Sequence, residues 1–203
     1  MLRRLLLLSI LCLPAAPALA EPAMEAVGRL NFAGYRAVRH CTAFLVGAQT
    51  AATAAHCLEG LRATDLHLLL GYDKGPWREH LRPGSAETAG RGADLALLCL
   101  PQAAQAVPLS WSEAAPEPGE ELIVQGYGRP RIHAQTRRAC PVLTATEDRV
   151  ILDCPVAPGT SGAPVLRKTE AGYEAVAVVS TSRGRTAVAV RPSRAIRRVS
   201  CEG

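Results

Sequence analysis

The chain has 203 residues, 48% hydrophobic and 20% charged; this globular balance, with no fixed-period repeat, excludes disordered, collagen-like and solenoid architectures. Aromatic residues make up only 4%, so the core must be built from Val, Leu, Ile and Ala, and a base-stacking platform for single-stranded nucleic acid is excluded. The formal charge of +5 is too mild to be a nucleic-acid footprint.

In chain order, residues 1–20 read as a secretory signal peptide. Arg3 and Arg4 open it, and an apolar run over 5–13 is interrupted only by Ser9 and Cys12. Pro14 breaks the run, and Ala18-Leu19-Ala20 supplies a small-x-small cleavage signature. The run is too short to cross a bilayer, and no second stretch of about 18 apolar residues follows. Ser9-Ile10-Leu11 ahead of Cys12 are not the small pair that a lipid anchor on that cysteine requires. The mature protein is expected to begin near Glu21 and to be secreted or periplasmic, with no membrane anchor. Removing Arg3 and Arg4 from the 23 basic residues leaves 21 against 18 acidic, a charge of +3. Removing Cys12 leaves Cys41, Cys57, Cys99, Cys140, Cys154 and Cys201, which read as three disulfides with about 15 connectivities open.

Short segments rich in Val, Leu, Ile and Thr then recur between Gly- and Pro-containing turns. Strands are predicted over 43–46, 66–70, 95–100, 121–125, 149–152, 163–166, 174–180 and 186–190. This spacing implies an all-β sandwich or barrels. Residues 114–119, Ala-Ala-Pro-Glu-Pro-Gly, form the one linker-like segment. They divide the mature chain into 21–113 and 120–203, each large enough for a small barrel. Pro192 and Ser193 open the only helical stretch, over 193–200, and Arg191, Arg194, Arg197 and Arg198 read as its solvated side in preference to an anion-binding patch.

Three places carry candidate chemistry. His56 follows a small-residue run and precedes Cys57, Asp94 stands at the mouth of an apolar strand, and Ser161 lies in a glycine-lined turn before another strand. Singly, each has an ordinary structural alternative: a packed loop histidine, a turn-forming aspartate, a common Gly-containing turn. Together they supply the parts of nucleophilic catalysis. A serine hydroxyl needs an imidazole to take its proton, and the imidazole needs a carboxylate to fix its tautomer. The developing oxyanion needs two N–H donors, which a glycine-rich turn can aim at one point.

These segments resemble chymotrypsin-like (trypsin-fold) serine proteases of the small bacterial secreted type. Cys41-Thr42-Ala43-Phe44-Leu45-Val46 through Ala54-Ala55-His56-Cys57 resembles the family's histidine loop, and Asp94-Leu95-Ala96-Leu97-Leu98 its aspartate strand. Gly159-Thr160-Ser161-Gly162-Ala163-Pro164 resembles the nucleophile loop, and Gly126-Tyr127-Gly128 the turn opening the second barrel. The family order His, Asp, Ser is kept, and the likeness runs from about Val27 to the C-terminus. It implies two six-stranded antiparallel barrels with a short C-terminal helix, the first carrying His56 and Asp94 and the second Ser161. It implies His56 as general base then acid, Asp94 as its orienter, Ser161 as nucleophile, and the N–H groups of Gly159 and Ser161 as the oxyanion hole. It also implies a Cys41–Cys57 disulfide. The remaining connectivity stays open: Cys140 and Cys154 flank a hairpin-sized segment and are expected to pair, which leaves Cys99 for Cys201.

The departures are informative. Thr160 stands where many members have an aspartate that receives a newly cut N-terminal amine, so activation by that route is not expected, and local hydrogen bonds, the Thr160 hydroxyl among them, are expected to hold the loop. Ala163 replaces a common second glycine. The trypsin-type pocket base corresponds to Pro155, without a carboxylate, and the wall that pairs with substrate backbone to Ser180, Thr181 and Ser182, with Ser180 expected near Asp94. Val179 occupies the place of the histidine found in glutamyl-specific members. Arg183 and Arg185 are a loop tip or a cationic pocket. His40, His67, His80 and His133 lack partners at ligand spacing, so neither metal nor cofactor is expected. The expected protein is a monomeric serine endopeptidase acting on polypeptide, with no nucleic-acid partner. The rivals are an inactive homologue that binds an envelope or extracellular partner, motivated by Thr160, Ala163 and the missing pocket carboxylate, and an esterase on the same fold.

Overall fold

The computed structural model describes residues 25–32, 39–90 and 92–201. The expected signal segment and mature start lie outside them. Their strands form two sheets. The first contains β1 (Val27–Asn31), β2 (His40–Gly47), β3 (Thr50–Thr53), β4 (His67–Leu70), β5 (Glu79–Leu81), β6 (Ser85–Thr88) and β7 (Ala96–Cys99), in the order β5-β4-β1-β2-β3-β7-β6.

Seven strands stand where six were expected, and the reason is local. Only Arg82-Pro83-Gly84 separate β5 from β6, and Pro83 has no N–H to continue a ladder. The half before this corner pairs with β4 (Leu69 opposite His80), the half after it with β7 (Ala86 opposite Leu98). One bent run of chain therefore joins the two ends of the sheet, without a ladder between β5 and β6.

The second sheet contains β8 (Ser110–Trp111), β9 (Glu121–Gly126), β10 (Thr136–Ala145), β11 (Arg149–Leu152), β12 (Pro164–Thr169), β13 (Gly172–Arg183) and β14 (Thr186–Val190). Six of them run β12-β9-β10-β11-β14-β13, and β12 pairs again with β13, so this barrel closes and leaves no edge. β8 adds outside it, parallel to β13, although it precedes the 114–119 segment. The architecture of the described residues is mostly β, one closed six-stranded barrel beside a half-barrel sheet that has no closing ladder, with one short helix. The terminal helix is shorter than the predicted stretch, Arg194–Arg197, and its first turn is capped by Ser193, whose hydroxyl accepts from the Ile196 N–H.

Aliphatic residues fill both sheets, as the low aromatic content requires. Phe44 of β2 meets Trp111 of β8 edge-on at 5.6 Å, so two of the few aromatic rings pack where the sheets meet. β3 and β10 escaped the sequence reading for opposite reasons. Thr-Ala-Ala-Thr of β3 is wholly buried but built on alanine, a weak strand former, and its pairing with β2 and β7 decides its state. β10 buries little besides Cys140 and Val142, so it lacks an apolar signal.

Candidate active site

The histidine and aspartate come together through strand register. In the β3–β7 pair Thr53 lies opposite Ala96, so the chain leaving β3 and the chain entering β7 emerge side by side. His56 sits in the first of two 3-10 turns that follow β3, Ala55–Leu58, and Cys57 in that turn is bonded to Cys41 of β2. Asp94 stands two residues before β7. Its Oδ1 accepts from the His56 backbone N–H at 2.9 Å, and its Oδ2 pairs with His56 Nδ1 at 2.8 Å. Ser180 Oγ donates to the same Oδ2 at 2.5 Å.

These bonds set the electrostatics. Burial alone would raise the Asp94 pKa, but the hydrogen bonds from the His56 ring, Ser180 and the His56 backbone hold it down at about 2. His56 is pushed above the ordinary imidazole value, chiefly by its hydrogen bond to Asp94, against a smaller opposing effect of burial. With Nδ1 committed to the carboxylate, Nε2 is the ring's basic atom.

Ser161 reaches the same cleft from the turn between β11 and β12. The Thr160 N–H donates to Ala157 O, the Gly162 N–H to Val179 O and the Ala163 N–H to Thr160 O. Among the described residues, the N–H groups of Gly159 and Ser161 have no partner. The turn needs its glycines: at Gly159 (φ 101°) a Cβ would lie 2.3 Å from His40 Nε2, and at Gly162 (φ 83°) 2.1 Å from Thr42 O. Ala163 needs no glycine, because its methyl faces Gly126, where an added Cβ would be the one to clash at 2.8 Å.

His56, Asp94, Ser161, Ser180, Thr181 and Ser182 line one cleft of about 510 Å³. His56 and Ser161 share it without a hydrogen bond between them; Ser161 Oγ donates instead to Ser180 O at 3.4 Å, and His56 Nε2 lies 3.8 Å from Cys57 Sγ. Pro155 is not at the base of this cleft. It is exposed and lines an adjoining hollow that shares Val156 and Ala157 with the cleft, whose own lining begins at Val156. Arg183 and Arg185 are exposed and do not line the cleft.

The residue that sequence reasoning missed is Thr42. Its N–H donates to Ser161 O at 2.8 Å, its hydroxyl donates to Gly159 O at 3.1 Å, and the same oxygen accepts the Tyr127 N–H at 2.9 Å. Thr53 Oγ1 donates to Thr42 O at 2.8 Å. The hydroxyl that braces the Ser161 turn is therefore that of Thr42, not of Thr160, whose Oγ1 packs against Gly128. Nothing marks Thr42 locally, since Tyr127 and Gly159, the partners of its hydroxyl, lie 85 and 117 positions away.

Cys41 pairs with Cys57, Cys99 with Cys201 and Cys140 with Cys154. Cys41, Cys57 and His56 lie within 4.8 Å of one another, but sulfurs bonded to each other are not thiolate ligands.

Residues 41–192 match the model of the trypsin-like peptidase domain. The chain belongs to the trypsin-like peptidase family. Among solved structures, the Vibrio cholerae VesB protease superposes with a TM-score of 0.68 at 16% identity, over 85% of this chain and 62% of that one. This shows the chymotrypsin-like fold, and the chain spans under two thirds of that protease's length. No curated protein matches the chain. Among the described residues of this trypsin-like peptidase, no helix is long and apolar enough to cross a membrane.

Proposed function

We propose that the protein is an exported, monomeric serine endopeptidase, with Ser161 as nucleophile, His56 as base then acid, and Asp94 as orienter. The observation that carries this reading is the Asp94–His56 hydrogen bond at the mouth of the cleft holding Ser161. Rotation about the Ser161 Cα–Cβ bond moves Oγ from Ser180 O toward His56 Nε2; such bonds tighten when substrate binds. The Oγ proton passes to Nε2 as Oγ bonds to the peptide carbonyl carbon. The unspent N–H groups of Gly159 and Ser161 stabilise the oxyanion. His56 then protonates the departing amine as the C–N bond breaks, leaving an acyl-enzyme. Water, deprotonated by His56, breaks the ester and restores the hydroxyl.

Besides His56 and Asp94, no charged side chain among the described residues lines the cleft. This favours an uncharged residue on the acyl side of the bond. Three disulfides suit an oxidising compartment, and with the signal-like 1–20 segment they support export.

Fluorophosphonate labelling of the purified exported protein, with a peptide-library digest read by mass spectrometry, tests the reading. Labelling and cleavage, both lost in Ser161→Ala with turnover falling on the order of a million-fold, are expected. The second reading, an inactive homologue that binds a partner, draws on the Ser161 hydroxyl's bond to Ser180 O. Failure to label at any pH from 6 to 9 would decide for it.

A further inference from the structure

Two hollows flank the His56–Ser161 pair. The cleft of about 510 Å³ runs along Ser180, Thr181 and Ser182 of β13. The other, of about 260 Å³, lies over the Cys41–Cys57 bridge, between Phe32, Arg39 and His40 on one side and Arg129 with Pro158 on the other. A peptide bond held at Ser161 must place its acyl part in one and its leaving segment in the other. With the acyl part taken along β13, as the peptidase reading has it, the departing segment crosses the disulfide.

The charge of that second hollow is one-sided. Arg39 and Arg129 both line it, both are exposed, and neither has a carboxylate partner among the described residues; no Asp or Glu is in its lining. Arg39 is held in place over the Phe32 ring at 5.6 Å. It lies near enough to His56 for its charge to oppose protonation of the ring, as one of the smaller influences on it. The Arg129 backbone is anchored by its N–H to Pro158 O at 3.1 Å. The first cleft, by contrast, has no arginine in its lining among the described residues.

We propose that Arg39 and Arg129 make this hollow select substrates with a carboxylate on the leaving-group side of the scissile bond. The inference rests on the peptidase reading and adds a substrate class to it. Two sources can supply the group, an Asp or Glu side chain or the free C-terminus of a short leaving segment, and both would meet the same guanidinium groups. Exposed ion pairs are individually weak and screened by salt, so the selectivity is modest and ionic-strength dependent.

The test uses matched peptides cleaved at one bond, with Glu or Gln at the first or second residue after it, each as a free acid and as a C-terminal amide. A carboxylate is expected to raise kcat/KM about three- to tenfold, mainly through KM, and the gain should shrink as salt rises. A gain from Glu in the amides assigns the hollow to a side chain; a gain only from the free acids assigns it to the terminus. Arg39→Gln and Arg129→Gln should each bring the ratio toward one, and because the ratio is internal to each variant, a general loss of activity does not disturb it. Equal rates for all peptides, or a preference that survives both substitutions, would overturn the proposal. An acyl anilide, which has no peptide on the leaving side, separates the two readings. Anilide turnover without carboxylate preference removes this inference alone, whereas no turnover of any substrate removes the peptidase reading and this one with it.

Discussion

The Thr42 hydroxyl donates to the carbonyl of Gly159 at 3.1 Å, across 117 positions of sequence and from one sheet to the turn of the other. The Gly159 carbonyl belongs to the Gly159–Thr160 peptide, which lies between the two candidate oxyanion donors, the N–H groups of Gly159 and Ser161, so the bond braces the backbone that carries both. With Thr160 ahead of Ser161, this contact supplies the brace. Thr42→Val keeps the shape, removes the hydroxyl and leaves the buried Tyr127 N–H unpaired. It should lower kcat by about ten- to a hundredfold and stability by about 1–3 kcal/mol. Thr42→Ser should restore most of kcat. Steady-state kinetics with the thermal midpoint of each variant check this, and a Val variant with full kcat would remove the positioning role.

The pH profile follows from the Asp94–His56 pair. His56 must be neutral to accept a proton, and its pKa is raised, so the acidic limb of kcat/KM should have its midpoint above the ordinary 6.5 of imidazole. Asp94→Asn removes the carboxylate that raises it. The limb should move to lower pH while turnover falls on the order of ten-thousand-fold. For folding the signs are opposite for the two partners. The His56 contribution is full below about pH 6.5 and fades as pH rises through its higher folded value. The Asp94 contribution is full above about 3.8 and fades as pH falls toward about 2. Denaturant titrations across pH 2–9, comparing Asp94→Asn with the parent, measure both.

Gly162 and Ala163 are adjacent and should respond oppositely to small changes. Gly162→Ala drives a methyl to 2.1 Å from Thr42 O at a positive φ, and should cost more than about 3 kcal/mol or prevent folding. Ala163→Gly removes a buried methyl and should cost only about 1 kcal/mol. Chemical denaturation of both variants gives the comparison, and equal losses would contradict the packing described.

The disulfides should differ in their contributions. Cys99–Cys201 closes a span of 102 residues and ties the tail to the first sheet, whereas Cys41–Cys57 spans 16. On the chain-entropy model these contribute about 4.7 and about 3 kcal/mol. Paired Cys→Ala variants, unfolded in urea, should rank in that order. Loss of Cys41–Cys57 should also lower kcat, because it tethers the turn that carries His56.

The histidine, aspartate and serine segments were legible in the sequence because each is a local signal: a small-residue run before His-Cys, an acid at the start of an apolar strand, glycines around a serine. The even number of cysteines beyond residues 1–20 and the turn-punctuated strands were legible for the same reason; the strands implied an all-β sandwich or barrels, and the two-barrel form came from the family resemblance. What only the tertiary structure decided was set by contacts between distant residues. The register of β3 against β7 brings Asp94 to His56, burial makes Thr-Ala-Ala-Thr a strand, and cross-sheet hydrogen bonds make Thr42 a brace. Pro155, counted back from the serine, was expected at the base of the cleft and lines the adjoining hollow instead, because spacing along a chain does not reveal where a turn begins to face inward. Side-chain pattern reports local conformation; a site assembled across two sheets depends on long-range pairing that no short window contains.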